Sequence, residues 1–211
     1  YIQSYSGQDF VGMDTLFSHV SKIKRLQEEL ESQNKAFLWA IAPGKGHFYP
    51  EYIPDKRIQE RTTTNLEAAL KLSDSLNVQV LDFNAWFLNQ KSKSTCKMYP
   101  KLGTHWSHYA MLQSMDSLMH YFVKNHGYCM PEFIWGTTVQ TNQTRFFDRD
   151  IANGMNLLIS LSSDTLCYAE ITYSVSNCPE IPSILVLSDS YYRDFYNLGK
   201  ENGFHFADYL Y

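Results

Sequence analysis

The sequence predicts an α/β fold with a mostly parallel sheet and helices on both faces. Two observations predict it. Short apolar runs at 37–42, 78–83 and 184–187 have the length of buried strands; the first stops at Pro43-Gly44 and the last at Ser188-Asp189-Ser190. Between them lie longer segments whose apolar residues recur at helical spacing, and strands that alternate with helices pair in parallel. Ligands of such sheets bind beyond the carboxyl ends of the strands, so the loops after Ala42, Phe83 and Leu187 are the places to look.

Taken in order, residues 14–34 read as an amphipathic helix. Leu16, Val20, Ile23, Leu26 and Leu30 share a face, and Asp14 stands at its start as N-cap. The run from Phe37 to Ala42 is the first strand, and the Gly- and Pro-rich stretch 44–57 is a loop. A second helix is expected over about Arg57–Leu76, then a strand over Val78–Phe83. The polar segment 89–104, with four lysines, reads as surface loop. A third helix is expected over about Ser107–Lys124, burying Ala110, Leu112, Met115, Leu118, Met119 and Phe122. Residues 127–150 show no clear period, and a short helix is expected from Asp150.

A chain of 211 residues suits one α/β domain over 1–211. Hydrophobic residues at 44% and charged residues at 19% are a globular composition. The net charge is -4 and no basic run stands out, which argues against a nucleic-acid partner. Fifteen Tyr and 4 Trp provide flat faces with polar edges, which suit sugars as well as cores. No apolar stretch approaches the ~20 residues that span a bilayer. The start at Tyr1, without Met, implies a mature or trimmed chain, so a missing export signal carries no information about compartment. Of the four cysteines, Cys167 and Cys178 are a candidate disulfide in an oxidising compartment; four reduced, partly buried thiols are the alternative. His105 and His108 are three apart but have no third ligand at helical spacing, so no metal site is expected.

Two stretches carry chemistry. In Ser188-Asp189-Ser190-Tyr191 a strand ends in a turn that can present the Ser190 hydroxyl at the sheet edge, beside main-chain N–H groups able to face an oxyanion. The same residues would also serve as a helix cap. Gly103-Thr104-His105-Trp106-Ser107 sets an imidazole at a loop-to-helix junction, where Trp106 can wedge the turn and Ser107 can cap. A serine hydroxyl needs such a base to become a nucleophile; a packing histidine is the plainer reading.

Together the stretches resemble a known family. Ser188-Asp189-Ser190-Tyr191 is similar to the Gly-Asp-Ser-aromatic block of SGNH hydrolases. Thr104-His105-Trp106-Ser107 is similar to the Asp-x-His-Trp-Ser/Thr block of the alginate and exopolysaccharide O-acetyltransferases, the permuted branch in which the histidine precedes the serine. The loop with Pro43-Gly44-Lys45 and Tyr49-Pro50, and the segment Asp150–Leu157, also resemble family segments. The resemblance implies an SGNH-like, flavodoxin-like fold and Ser190 and His105 as the reactive pair. It places Ser188, Lys45, Tyr49 and Trp106 in oxyanion or substrate binding. It further implies a polysaccharide substrate, no cofactor, an integral-membrane partner that donates acetyl groups, and a periplasmic or cell-envelope, membrane-anchored setting. Esterase activity and a non-catalytic glycan-binding relative are the alternatives.

Three positions depart from the pattern. Gly103 stands where the family has the acid that supports the histidine; Asp82, Asp148 and Asp150 are the substitutes considered, and a Ser-His dyad or a main-chain carbonyl as orienter is equally open. Ser188 replaces the glycine of the serine block. The chain ends at Tyr211, where the family continues with more sheet and helix, so truncation at the C-terminus is expected.

Overall fold

A computed structural model describes residues 2–57, 60–174, 178, 180–192 and 195, and the backbone of 206–210. The chain forms two compact units, Tyr1–Gln90 and Lys91–Tyr211.

In the first unit α1 (Ile2–Ser6) leads into α2 (Met13–Ser32), followed by β1 (Trp39–Ile41), α3 (Lys45–Phe48), α4 (Asn65–Ser75), β2 (Val80–Asp82) and α5 (Phe83–Gln90). The apolar period of α2 holds in its first half, while Leu26, expected on this face, is exposed and Gln27 is buried in its stead. Leu16 and Val20 are buried against Ala68 and Leu72 of α4 and against Val78, with Ile23, Phe37, Trp39 and Val80 packed around them. Burying a side chain of this size stabilises by ~1.5–3 kcal/mol. The same face of α2 carries one buried polar residue, Gln27, whose carbonyl accepts from Gln79 N at 2.7 Å and whose amide donates to Asn77 O at 3.3 Å, fixing the entry to β2. β1 and β2 pair in parallel, Trp39 opposite Val80 and Ile41 opposite Asp82.

The helix expected from Arg57 begins instead at Asn65; Ile58 and Gln59 lie outside the described residues. Thr64 and Glu67 form a capping box, the Thr64 hydroxyl accepting from Glu67 N at 3.1 Å and the Glu67 carboxylate accepting from Thr64 N at 3.0 Å. This reciprocal pair satisfies two donors that a helix start leaves open, so the helix starts where the box is. The expected strand end at Phe83 is also corrected. The Asp82 carboxylate accepts from Ala85 N at 3.0 Å and turns the chain directly into α5.

The second unit contains α6 (His108–His126), β3 (Glu132–Thr141), α7 (Asp150–Gly154), β4 (Leu166–Ser174), β5 (Ile184–Leu187), a 3-10 turn over Ser190–Tyr192 and β6 (Phe206–Leu210). β5 and β6 pair in parallel. β3 and β4 form an antiparallel ribbon, with a register shift between Trp135 and Thr138. This ribbon occupies part of the stretch that showed no period: most side chains of β3 are exposed, so no buried face marks it. α6 packs against the ribbon, and the Trp135 indole donates to Asp116 at 3.1 Å. The left-handed Gly127 (φ 66°) ends α6.

The cysteines pair as Cys96–Cys167 and Cys129–Cys178, which corrects both readings of the sequence. The physical reason is β4 itself. An extended strand rises ~3.3 Å per residue, so by Ser174 the chain has moved ~23 Å away from Cys167. The few residues onward to Cys178 cannot return that far, and a disulfide needs Cα atoms within ~7 Å. No helix among the described residues is long and apolar enough to cross a membrane.

Candidate active site

The histidine lies on a segment held at both ends. Cys96 joins it to β4. Asp164, just before β4, pairs with the Lys97 ammonium at 2.9 Å and accepts from Lys101 N at 3.1 Å. Ser107 returns its N–H to Met98 O at 2.8 Å and its hydroxyl to Lys97 O at 2.7 Å. The same hydroxyl accepts from Ala110 N at 3.2 Å, so Ser107 caps α6. Trp106 is 5% exposed and lies between Tyr191, edge-on at 5.2 Å, and Phe195, stacked at 5.2 Å. His105, two residues before the cap, is thereby held in a buried turn (9% exposed).

Both imidazole nitrogens are engaged. Nδ1 lies 2.7 Å from Asp150 Oδ2, and Nε2 lies 2.8 Å from Ser190 Oγ. With Asp150 ionised, Nδ1 carries the proton and Nε2 is left to accept from the serine. The other oxygen of Asp150 accepts from Thr104 N and Ile151 N, both at 2.7 Å. Asp150 therefore orients the ring and ties down the residue before it. Ala152 N donates to Leu102 O at 3.2 Å, a second strap from α7 to the histidine segment.

Ser190 opens the 3-10 turn that follows β5. The Asp189 carboxylate accepts from Tyr191 N at 3.1 Å, which closes that turn. Tyr191 lies edge-on to His105 at 4.8 Å, and its hydroxyl donates to Thr104 O at 3.3 Å. Hydroxyl, imidazole and carboxylate thus form one hydrogen-bonded chain across three loops. That is the order by which a serine is made nucleophilic.

Gly103 cannot supply the acid, and the reason is space. A Cβ there would lie 2.8 Å from Pro100 Cγ and 3.2 Å from the carbonyl carbon and oxygen of Asp148. The segment that brings Asp150 to the ring fills the place where a side chain on residue 103 would begin. Of the three acids considered from sequence, Asp150 reaches His105; Asp82 caps α5 in the first unit, and Asp148 is engaged elsewhere. Nothing in the local sequence singles out Asp150, since 45 residues separate it from His105. The sequence marks Tyr191 as the aromatic of the serine block and carries no signal of its contact with the imidazole.

The remaining sequence candidates fall as follows. The Ser188 hydroxyl donates to Asp189 O at 2.8 Å. Lys45 opens α3 in the first unit, and Tyr49 packs on Phe48 at 4.7 Å and Tyr52 at 5.3 Å in the same unit. Among the described residues no group of three or more His, Cys, Asp or Glu is placed to hold a metal ion. A cavity of about 200 Å³ adjoins α7, lined by Arg149, Asn153, Asn156 and Ser160 among others.

Residues 13–128 match the family described as ALGX: SGNH hydrolase-like domain, acetyltransferase AlgX. Solved structures are similar, three of which follow. The O-acetyltransferase domain of Pseudomonas putida AlgJ is 18% identical at a TM-score of 0.59, over 89% of this chain and 66% of that one. Bacillus cereus PatB1 is 12% identical at a TM-score of 0.56, over 95% of this chain and 83% of that one. Pseudomonas aeruginosa AlgX is 14% identical at a TM-score of 0.57, over 97% of this chain and 51% of that one. The chain thus spans under two thirds of AlgJ and about half of AlgX, and at these identities the likeness is one of fold. No curated protein matches the sequence. The expected α/β, SGNH-like fold agrees with both comparisons.

Proposed function

Because the chain belongs to the AlgX family of SGNH hydrolase-like domains, we propose that it transfers an acyl group, acetyl in the simplest case, to a hydroxyl of a polysaccharide through an acyl-Ser190 intermediate. The observation that carries this reading is the hydrogen-bonded chain Asp150–His105–Ser190. It supplies a carboxylate where its absence from position 103 had pointed to a non-catalytic relative.

Ser190 Oγ attacks the carbonyl carbon of the donor ester while His105 Nε2 takes its proton. Asp150 stabilises the imidazolium that forms. The Ser190 N–H, first of its turn, is the candidate donor to the oxyanion. The tetrahedral species collapses, the donor's leaving group departs with the proton from His105, and the acyl group stays on Ser190. A sugar hydroxyl then gives its proton to His105, attacks the acyl carbon and releases Ser190. Water in place of the sugar makes the same residues an esterase.

Arg149, Asn153 and Asn156, which line the cavity along α7, are candidates for contact with sugar hydroxyls. Lys45 and Tyr49 are further candidates for substrate contact, and Ser188 for the oxyanion side. Two disulfides support an extracytoplasmic, periplasmic or cell-envelope setting. A membrane-embedded acetyl donor as partner follows from the family resemblance.

The test is p-nitrophenyl acetate turnover with and without an oligosaccharide acceptor, beside Ser190→Ala. Acetylated oligosaccharide seen by mass spectrometry, and lost in Ser190→Ala, is the expected result. Release of acetate alone selects the esterase, and equal rates for both proteins remove the enzyme reading.

A further inference from the structure

The catalytic reading uses Asp150 but leaves its neighbour Asp148 without a role. Asp148 is 2% exposed, and its carboxylate is shared between two elements. Oδ1 accepts from His108 N at 3.0 Å, the first N–H of α6. Oδ2 accepts from the Tyr168 hydroxyl at 2.9 Å, on β4. That hydroxyl accepts in turn from Arg145 N at 2.9 Å. The main-chain carbonyl of Asp148 lies against Gly103, 3.2 Å from where a Cβ at 103 would stand, tighter than an ordinary contact.

Asp148 therefore touches the histidine segment on both sides of His105, at Gly103 and at His108, and it sits two residues before the acid that meets the ring. β4 completes the frame. Cys167 binds the start of the histidine segment through Cys96, and its neighbour Tyr168 binds Asp148. Burying a carboxylate is costly unless its oxygens are satisfied by hydrogen bonds. Here the partners are a helix-start N–H, which favours a negative charge, and a phenol; burial pushes the ionisation of that phenol upward, so it stays a donor.

We propose that Asp148 is a positioning residue: it sets the distance between His105 and Asp150 and so makes up for the side chain that Gly103 lacks. This rests on the acyl-transfer reading. It goes further in stating what keeps a carboxylate from a distant loop in register with the imidazole. A displacement of about 1 Å between such groups costs on the order of 10²-fold in rate.

The experiment compares Asp148→Asn and Tyr168→Phe with the unmodified protein and with Ser190→Ala. Readouts are kcat and KM for p-nitrophenyl acetate, and the low-field NMR resonance of the proton between His105 Nδ1 and Asp150, assigned by its loss in His105→Gln. In Asp148→Asn, kcat falls about 10- to 100-fold, KM stays nearly constant, and the resonance shifts or vanishes. Tyr168→Phe does the same more weakly, and it decides the matter if Asp148→Asn does not fold. A folded variant with both disulfides, unchanged kcat and an unchanged resonance overturns the proposal. Activity that survives Ser190→Ala overturns the function instead, while the resonance still judges the positioning of His105 by Asp148.

Discussion

Replacing Asp150 with asparagine should cost more than removing its side chain, because the structure dictates which way the new amide faces. Oδ1 of Asp150 accepts from two main-chain N–H groups, Thr104 and Ile151, both at 2.7 Å. An amide NH₂ cannot sit there, so the asparagine carbonyl takes that place and its NH₂ turns to His105 Nδ1. Nδ1 must then accept, and the ring proton moves to Nε2, the nitrogen that lies 2.8 Å from Ser190 Oγ. That tautomer cannot take the serine proton. In a serine protease the equivalent exchange lowers kcat ~10⁴-fold, or ~5 kcal/mol in the barrier. The expectation here is of the same order. Asp150→Ala leaves both tautomers open and should lose less. The assay is kcat for p-nitrophenyl acetate at alkaline pH, with folding checked by circular dichroism and intact disulfides. An asparagine variant within about tenfold of the unmodified rate, or one healthier than the alanine variant, refutes the tautomer argument.

Further expectations follow from packing, cross-links and burial. Gly103→Ala pushes a methyl into Pro100 and the Asp148 carbonyl, so a loss of ~1–3 kcal/mol is expected by denaturant titration; an unchanged midpoint would show that the contact relaxes freely. Replacing Cys96 and Cys167 together with alanine opens a cross-link between positions 71 apart, worth ~4 kcal/mol on the chain-entropy account, readable as a lower unfolding midpoint without reductant. His108, stacked on Phe146 at 4.1 Å, has its pKa lowered to about 4, first by burial and then by Arg145. Between pH 6.5 and 4 the unfolded chain holds a proton on this ring that the folded chain does not, so stability present above pH 6.5 is lost as pH falls and levels off below 4. The change from pH 7 to 5 amounts to about 2 kcal/mol; His108→Phe should flatten that part of the stability profile, and an unchanged slope would count against the burial argument.

The sequence by itself determined much of the frame. Apolar periodicity placed α2, α6 and the cores of β1, β2 and β5 to within a few residues, because their apolar residues cluster at the spacing of the element they form. Ser107 was legible as a cap because capping chemistry is local. His105 and Ser190 stood out because each sits in a short block at an element boundary. The exposed strand β3 was not legible, since a strand with little burial leaves no hydrophobic pattern. The disulfide partners were not legible either, as pairing depends on where strands carry the sulfurs and not on spacing along the chain. Tertiary structure alone decided the acid. Three aspartates were equal candidates on paper. The one that reaches His105 is Asp150, two residues beyond the Asp148 carbonyl that packs beside Gly103, and a contact between residues 45 apart leaves no trace in either local sequence.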